Sequence, residues 1–299
     1  MHTEEAKLSE LDAGAVVART GENGPIYYRL PSFFVIGVMK CGTREMFLWL
    51  SQHPNLKGAS RTYFFKEVDQ LAKEWPRYAF REEFCVGAEP DEATITFERA
   101  PNYFVTTDQE HAVSGLVHRM LPSAKLIVLL RDPGERAYSH FQMKRRHAEK
   151  GKIDAPEYLN CAFDDVVHDY LMRGRDSDFR RLFKLGYYAE HLEGWLAHFP
   201  RSQLCVLLLE EFKHDPFATM DRVQEFLSVP RIDYRQRAQQ GERGWWTIPG
   251  LVSARHSPSY APMSPTARRL LTEHYAPWTM RLRRMFPGLA LRWDDTIPH

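Results

Sequence analysis

Short apolar runs punctuate the chain, separated by stretches in which apolar residues recur at helical spacing. Residues 32–38 (SFFVIGV) are dense in β-branched and aromatic side chains, the pattern of a strand covered on both faces, and residues 125–130 (KLIVLL) repeat it. Weaker runs at 93–97 (ATITF) and 204–209 complete the strand-like set. Helical spacing follows in Met46, Phe47 and Leu50, then in Phe64, Phe65, Val68, Leu71 and Ala72 within residues 63–75. Further helices are predicted over 108–121, from Pro133 to about Arg146, over 186–198 and after Asp215-Pro216. Strand followed by helix, at least three times over, dictates a parallel sheet with right-handed crossovers. The expected fold class is therefore α/β, a three-layer arrangement with a central parallel sheet flanked by helices. Residues 1–31 are polar and read as an N-terminal arm. Residues 32–299 read as one domain, with 231–264 a loop-rich cover and 265–299 C-terminal helices.

The first strand turns directly into a helix through Lys40-Cys41-Gly42-Thr43-Arg44, with Gly37 and Gly42 permitting the tight turn and Thr43 placed as N-cap. Such a corner points free N–H groups and a positive dipole end above the sheet edge, where phosphate or sulfate is the natural ligand. It is not a Walker A loop, since Thr43 and not Lys follows Gly42 and the cation, Lys40, lies inside the turn. A second pair repeats the chemistry. Arg131 ends a buried strand, and Ser139 lies two turns along the next helix, so both can face one phosphate. The plainer readings are a βα corner with a solvated lysine, and an Arg131–Asp132 surface pair beside an ordinary serine. The run at 93–97 delivers Glu98, Arg99 and the segment to Phe104 at a strand end, where sites in such sheets are built.

Charge and cysteine usage narrow the class. A net charge of +1 over 299 residues argues against a general polyanion or nucleic-acid binder. Four cysteines without CxxC spacing suggest neither a disulfide framework nor a zinc site, and no HExxH or clustered Cys/His pattern offers another metal. No apolar leader or membrane-spanning run is visible, so the expectation is a soluble, cytoplasmic protein; a luminal protein trimmed of its leader would read the same. Lys144-Arg145-Arg146-His147 reads first as a solvated helix end, and the pair His140/His147, seven apart, as surface or packing residues.

Taken together, these pieces resemble the sulfotransferases that use 3′-phosphoadenosine 5′-phosphosulfate (PAPS), and among them the heparan sulfate type. That family's 5′-phosphosulfate loop, Lys-x-Gly-Thr-Arg, is matched by Lys40-Cys41-Gly42-Thr43-Arg44. Its 3′-phosphate motif is matched by LIVLL, Arg131-Asp132-Pro133, Arg136-Ala137 and Ser139. Glu98-Arg99-Ala100-Pro101-Asn102-Tyr103-Phe104, Gly186-Tyr187-Tyr188 with His191-Leu192, and Ala254-Arg255-His256-Ser257-Pro258 are similar to its remaining segments in order, with Arg99 and Ala100 in place of the family's Lys and Ser/Thr and Ser257 in place of its His.

The resemblance implies a P-loop-like sulfotransferase fold and in-line, metal-independent sulfuryl transfer from PAPS, with PAP as product, to a hydroxyl or amine of a carbohydrate or small acceptor. It implies Lys40 at the bridging oxygen and Cys41, Gly42, Thr43 and Arg44 around the 5′ phosphate. Arg131, Ser139, Arg255 and His256 would hold the 3′ phosphate, with Trp245 covering the nucleotide. Arg61, Tyr63, Phe64 and Tyr103 fall at the acceptor side. The family's usual base, a Glu three positions before a Phe-Phe pair, is replaced by Arg61. Glu98, flanked by Arg99, is then the expected base, with His53 and Glu67 in reserve. A P-loop kinase or NTPase and a PAP-binding pseudoenzyme are the alternatives.

Overall fold

The computed structural model describes residues 12–22, 24–60, 64–67, 71–88, 93–106, 112–241, 244–249 and 261–293. Its centre is a five-stranded, wholly parallel sheet. Numbered along the chain, the strands are β1 Val16–Gly21, β2 Gly24–Arg29, β3 Phe33–Gly37, β4 Leu56–Ser60, β5 Cys85–Gly87, β6 Ile95–Arg99, β7 Lys125–Leu130 and β8 Leu204–Leu208, followed by a short antiparallel pair, β9 Gln239–Gln240 and β10 Trp246–Thr247. The central sheet has the order β4-β6-β3-β7-β8, so the chain moves one way from β3 to β4 and β6 and then crosses back to β7. The carboxyl ends of β3 and β7 thus meet at the point where the winding reverses, the crevice such sheets use for ligands.

The helices are α1 Thr43–Leu50, α2 Phe64–Glu67, α3 Leu71–Ala79, α4 Ala112–Met120, α5 Pro133–Glu149, α6 Phe163–Arg173, α7 Arg180–Lys184, α8 Tyr188–Leu196, α9 Leu209–His214, α10 Pro216–Leu227 and α11 Pro265–Met285. Strand alternation sorts them into layers. Phe33 and Phe97 stack at 4.7 Å on the face covered by α1, where Phe47 meets Phe97 and Trp49 meets Phe212 and Phe217 of α9 and α10. Phe34 points the other way, onto Phe65 and Tyr103. Every residue of β3 is buried, which is why its sequence is apolar without alternation. A second core joins α5, α6, α7 and α11 through Phe141, Phe163, Phe183 and Tyr275.

Helices α6 and α7 fall between residues 147 and 185, where the sequence pattern predicts no element, and two further segments differ from the expectation. Residues 16–29, read as part of a polar arm, form an antiparallel hairpin, and β5 adds to its edge. The other is β4 (LKGAS), which carries little strand propensity and pairs along β6 at the sheet's edge. Among the described residues no helix is long and apolar enough to cross a membrane.

Candidate active site

The loop between β3 and α1 is fixed by two left-handed residues, Lys40 at φ +77° and Gly42 at φ +82°. Glycine suits the left-handed φ at position 42, and a Cβ there would lie 2.5 Å from Leu209 Cδ1, so a larger residue would be strained and would displace that side chain. Lys40 has no such exemption, and a bulky side chain held at positive φ marks a place where function outweighs local strain. Gly42, not Thr43, is the N-cap; Thr43 is the first helical residue, and no side chain caps the helix. The first-turn N–H groups of α1 thus have no side-chain cap, the form of helix N-terminus that suits an anion. Thr43 Oγ1 instead accepts from Arg99 Nη1 at 3.5 Å.

Around Lys40 the protein has gathered cations. Burial, followed by the fields of Arg146, Arg131 and Arg136, lowers its pKa from 10.5 to about 8. Arg136 is fully buried; its Nη2 donates to the Leu182 carbonyl, while Nε and Nη1 have no partner among the described residues. A buried guanidinium with unspent donors is costly to keep unless an anion shares its field. Arg131 pairs with Glu135 at 3.0 Å, and Glu135 also holds Arg268. Ser139, buried one turn beyond Glu135, lies on the same side of α5. Asp132 caps α5 by accepting from the Glu135 N–H at 2.7 Å, and burial still pushes its carboxyl up to about 6. Tyr188 ties the two loops together, its hydroxyl donating to the Arg131 carbonyl at 2.8 Å and meeting Cys41 Sγ at 3.7 Å. Burial raises the Cys41 thiol to about 12, so it is a packing group here and not a nucleophile.

The strand β6 runs two residues further than its sequence suggested, and this separates Glu98 from Arg99. Alternation sends Arg99 to the α1 face, where it donates to Ser60 Oγ at 2.9 Å and lies 5.9 Å from the Phe47 ring centroid. Glu98 goes to the opposite face with no exposed surface, accepting from Tyr78 Oη at 2.7 Å. Burial and then this carboxylate push the Tyr78 hydroxyl well above its ordinary pKa. The expected Glu98–Arg99 catalytic pair is therefore not assembled. Glu98→Ala is expected to lower stability by about 1–3 kcal/mol, since it strands a buried hydroxyl. An unchanged melting temperature with ~10²-fold slower turnover would return Glu98 to the acceptor site.

Phe64 and Tyr103, expected at the acceptor, are core residues: Phe64 stacks on Tyr78 at 4.4 Å, and the Tyr103 hydroxyl accepts from Phe65 N. His53 has both ring nitrogens engaged, with the Pro230 carbonyl and Asn55 N. Arg44 is exposed at the start of α1. Trp245 is half exposed, and Lys213 Nζ lies 4.6 Å from its ring centroid. Arg61, Tyr63, Arg255, His256 and the side chain of Glu67 lie outside the described residues. The sequence named Arg136 only as part of the matched motif and read Arg146 and His147 as a solvated helix end, whereas Arg136 is fully buried and the charges of Arg136 and Arg146 act on Lys40. Burial, then Lys152, Arg146 and Lys40, hold His147 below its ordinary pKa.

The family model described as "Sulfotransferase domain" matches residues 30–240. Among curated proteins, human bifunctional heparan sulfate N-deacetylase/N-sulfotransferase 3 is 30% identical over 279 residues, covering 88% of this chain and 30% of that protein. Mouse heparan sulfate glucosamine 3-O-sulfotransferase 3A1 is 31% identical over 205 residues, covering 68% of this chain and 47% of the relative. The chain thus spans less than half the length of either. Among solved structures, a sulfotransferase from Alicyclobacillus acidocaldarius shares the fold, with a TM-score of 0.60 at 22% identity over 88% of this chain and 98% of that one. With more than two thirds of its residues inside the family match, the chain belongs to the sulfotransferase family.

Proposed function

We propose that this protein transfers the sulfuryl group of PAPS to a hydroxyl or amine of a carbohydrate acceptor. The observation that carries the reading is Lys40, held at positive φ above an uncapped helix and among Arg131, Arg136 and Arg146. On this reading we assign two anion sites. The α1 N-terminus with Thr43 and Arg44 takes the 5′ phosphosulfate, and Arg131 with Ser139 the 3′ phosphate, with Arg255 and His256 joining from the C-terminal segment and Trp245 over the nucleotide. The unspent donors of Arg136 beneath the loop fit a ligand that brings several negative charges.

PAPS supplies an activated sulfuryl group whose S–O bond to the 5′ phosphate breaks as a bond from sulfur to the acceptor oxygen or nitrogen forms. Lys40 provides an ammonium where negative charge develops on the departing phosphate oxygen, an interaction that strengthens toward the transition state. We assign the uptake of the acceptor's proton to His147, a partly exposed imidazole whose pKa burial and its cationic neighbours lower. The expected result is that PAP stabilises the protein and ATP–Mg²⁺ does not. Saturation at 100 times Kd raises stability by about 2.7 kcal/mol, readily seen as a thermal shift. A shift with ATP–Mg²⁺ and none with PAP would overturn the assignment.

A further inference from the structure

Helix α11 brings to the Arg131 corner a cation that neither phosphate motif contains. The start of this helix is fixed in place: Ser264 caps it by accepting from Ala267 N at 3.0 Å and donates to Asp164 of α6, and Pro265 suits the first turn. Ala267 and Leu271 are buried one turn apart, and a Cβ on Gly134 would lie 3.3 Å from Leu271 Cβ, so α11 rests directly on the first turn of α5. On this docked turn Arg268 and Arg269 behave differently. Arg269 pairs with Glu273 along its own helix, both side chains more than half exposed. Arg268 crosses to α5, where its Nη2 donates to Glu135 Oε1, while Glu135 Oε2 accepts from Arg131 Nη2 at 3.0 Å.

One carboxylate therefore holds two guanidinium groups side by side, and the triad keeps a net positive charge. Side-chain exposures of 18% for Arg131, 22% for Glu135 and 28% for Arg268 leave it partly open to solvent, and ion pairs so exposed add little stability. Among the described residues neither guanidinium makes another hydrogen bond, so Nε and Nη1 of each stay uncommitted. Arg268 also reaches the end of β7: burial raises the Asp132 carboxyl, and Arg268 is the cation that acts against it. A phosphate monoester on Arg131 and Ser139 carries about two negative charges near neutrality, more than one guanidinium offsets, and guanidinium forks match its oxygens bidentately. We propose that Arg268 is a second guanidinium of this phosphate site, held beside Arg131 by Glu135, and a specificity residue for the 3′ phosphate. The inference rests on the sulfotransferase reading and deepens it with a residue beyond position 240, where the family match ends.

The test measures, by calorimetry on the full chain, the affinities for PAP and for adenosine 5′-phosphate, which differ only in the 3′ phosphate. The wild type is expected to bind PAP at least about tenfold more tightly, as charged hydrogen bonds allow. Arg268→Ala is expected to weaken PAP by about 10–100-fold and to leave adenosine 5′-phosphate unchanged. Arg268→Lys keeps a cation for Glu135 and loses the fork, so it preserves the link between the helices should the alanine variant fail to fold; it is expected to weaken PAP by about three- to tenfold. A residue that merely links α11 to α5 would instead lower the melting temperature and weaken both nucleotides alike. Equal losses on the two nucleotides, wild-type PAP affinity in both variants, or a wild type that does not prefer PAP overturns the assignment of Arg268 alone. A wild type that binds no PAP overturns the sulfotransferase reading instead.

Discussion

Lys40→Ala lowers turnover by about 10²–10³-fold while PAP still binds, the loss expected when one preorganised donor to a developing charge is removed. The ground-state phosphosulfate retains the α1 N–H groups and the arginines, so affinity changes far less than rate. The pKa adds a second signature. Between about 8, its folded value, and 10.5, its unfolded value, the unfolded chain holds a proton that the folded protein has released. The charged ammonium therefore costs stability below pH 8, and unliganded stability rises with pH across that window. A dianionic ligand favours the charged form and moves the pKa upward. The alkaline limb of kcat/KM, which reports the free enzyme, should fall near pH 8, and that of kcat at saturating PAPS should lie higher. Lys40→Arg, unable to titrate there, should keep part of the activity and lose this limb. Lys40→Ala turning over at the wild-type rate, or a limb near pH 8 persisting in Lys40→Arg, would show that another group carries the role.

What the sequence made legible was whatever the chain encodes locally. Lys40, Gly42 and Thr43 sit within one strand–turn–helix unit, and Arg131 with Ser139 within another, so spacing alone placed them at two loop ends. The parallel pairing of β3 with β7 then set those ends side by side. Arg146, on the same helix, reads as an ordinary helix cation, and Arg136 as a member of the matched 3′-phosphate motif with no sign of its burial. Whether a helical arginine points into the protein depends on what packs against it, here Leu182 of α7, and that is a tertiary fact. Glu98 went the same way in reverse. Two extra residues in β6 put alternation in force across Glu98 and Arg99, and the chain neighbours that seemed a pair face opposite sides of the sheet. Thr43 lost its capping role because Gly42 takes the left-handed cap position against Leu209. The β1–β2 hairpin escaped notice since its apolar runs, Val16-Val17-Ala18 and Ile26-Tyr27-Tyr28, are short and its strands are half-buried or exposed.

His147 is where the removal of Glu98 from the acceptor side has its largest consequence. A hydroxyl or ammonium acceptor must lose a proton during transfer, and the group that takes it has to be unprotonated, partly accessible and near Lys40. His147 is partly exposed near the end of α5, and Lys40 is among the cations that depress its pKa. His140 shares the helix and the field but is buried, so it has no path to an acceptor. Because the His147 pKa lies below the ordinary 6.5, the neutral imidazole predominates at pH 7, and activity should fall only on acidification below that value. His147→Ala is therefore expected to lower kcat about 10²-fold or more, leave the PAP thermal shift unchanged and abolish the acid limb of the kcat/KM profile. Lys40→Arg should leave that acid limb in place, so the two limbs of one bell separate by mutation. Near-normal turnover by His147→Ala, with the acid limb intact, would move the proton acceptor to a residue of the acceptor-side segment that carries Arg61 and Tyr63.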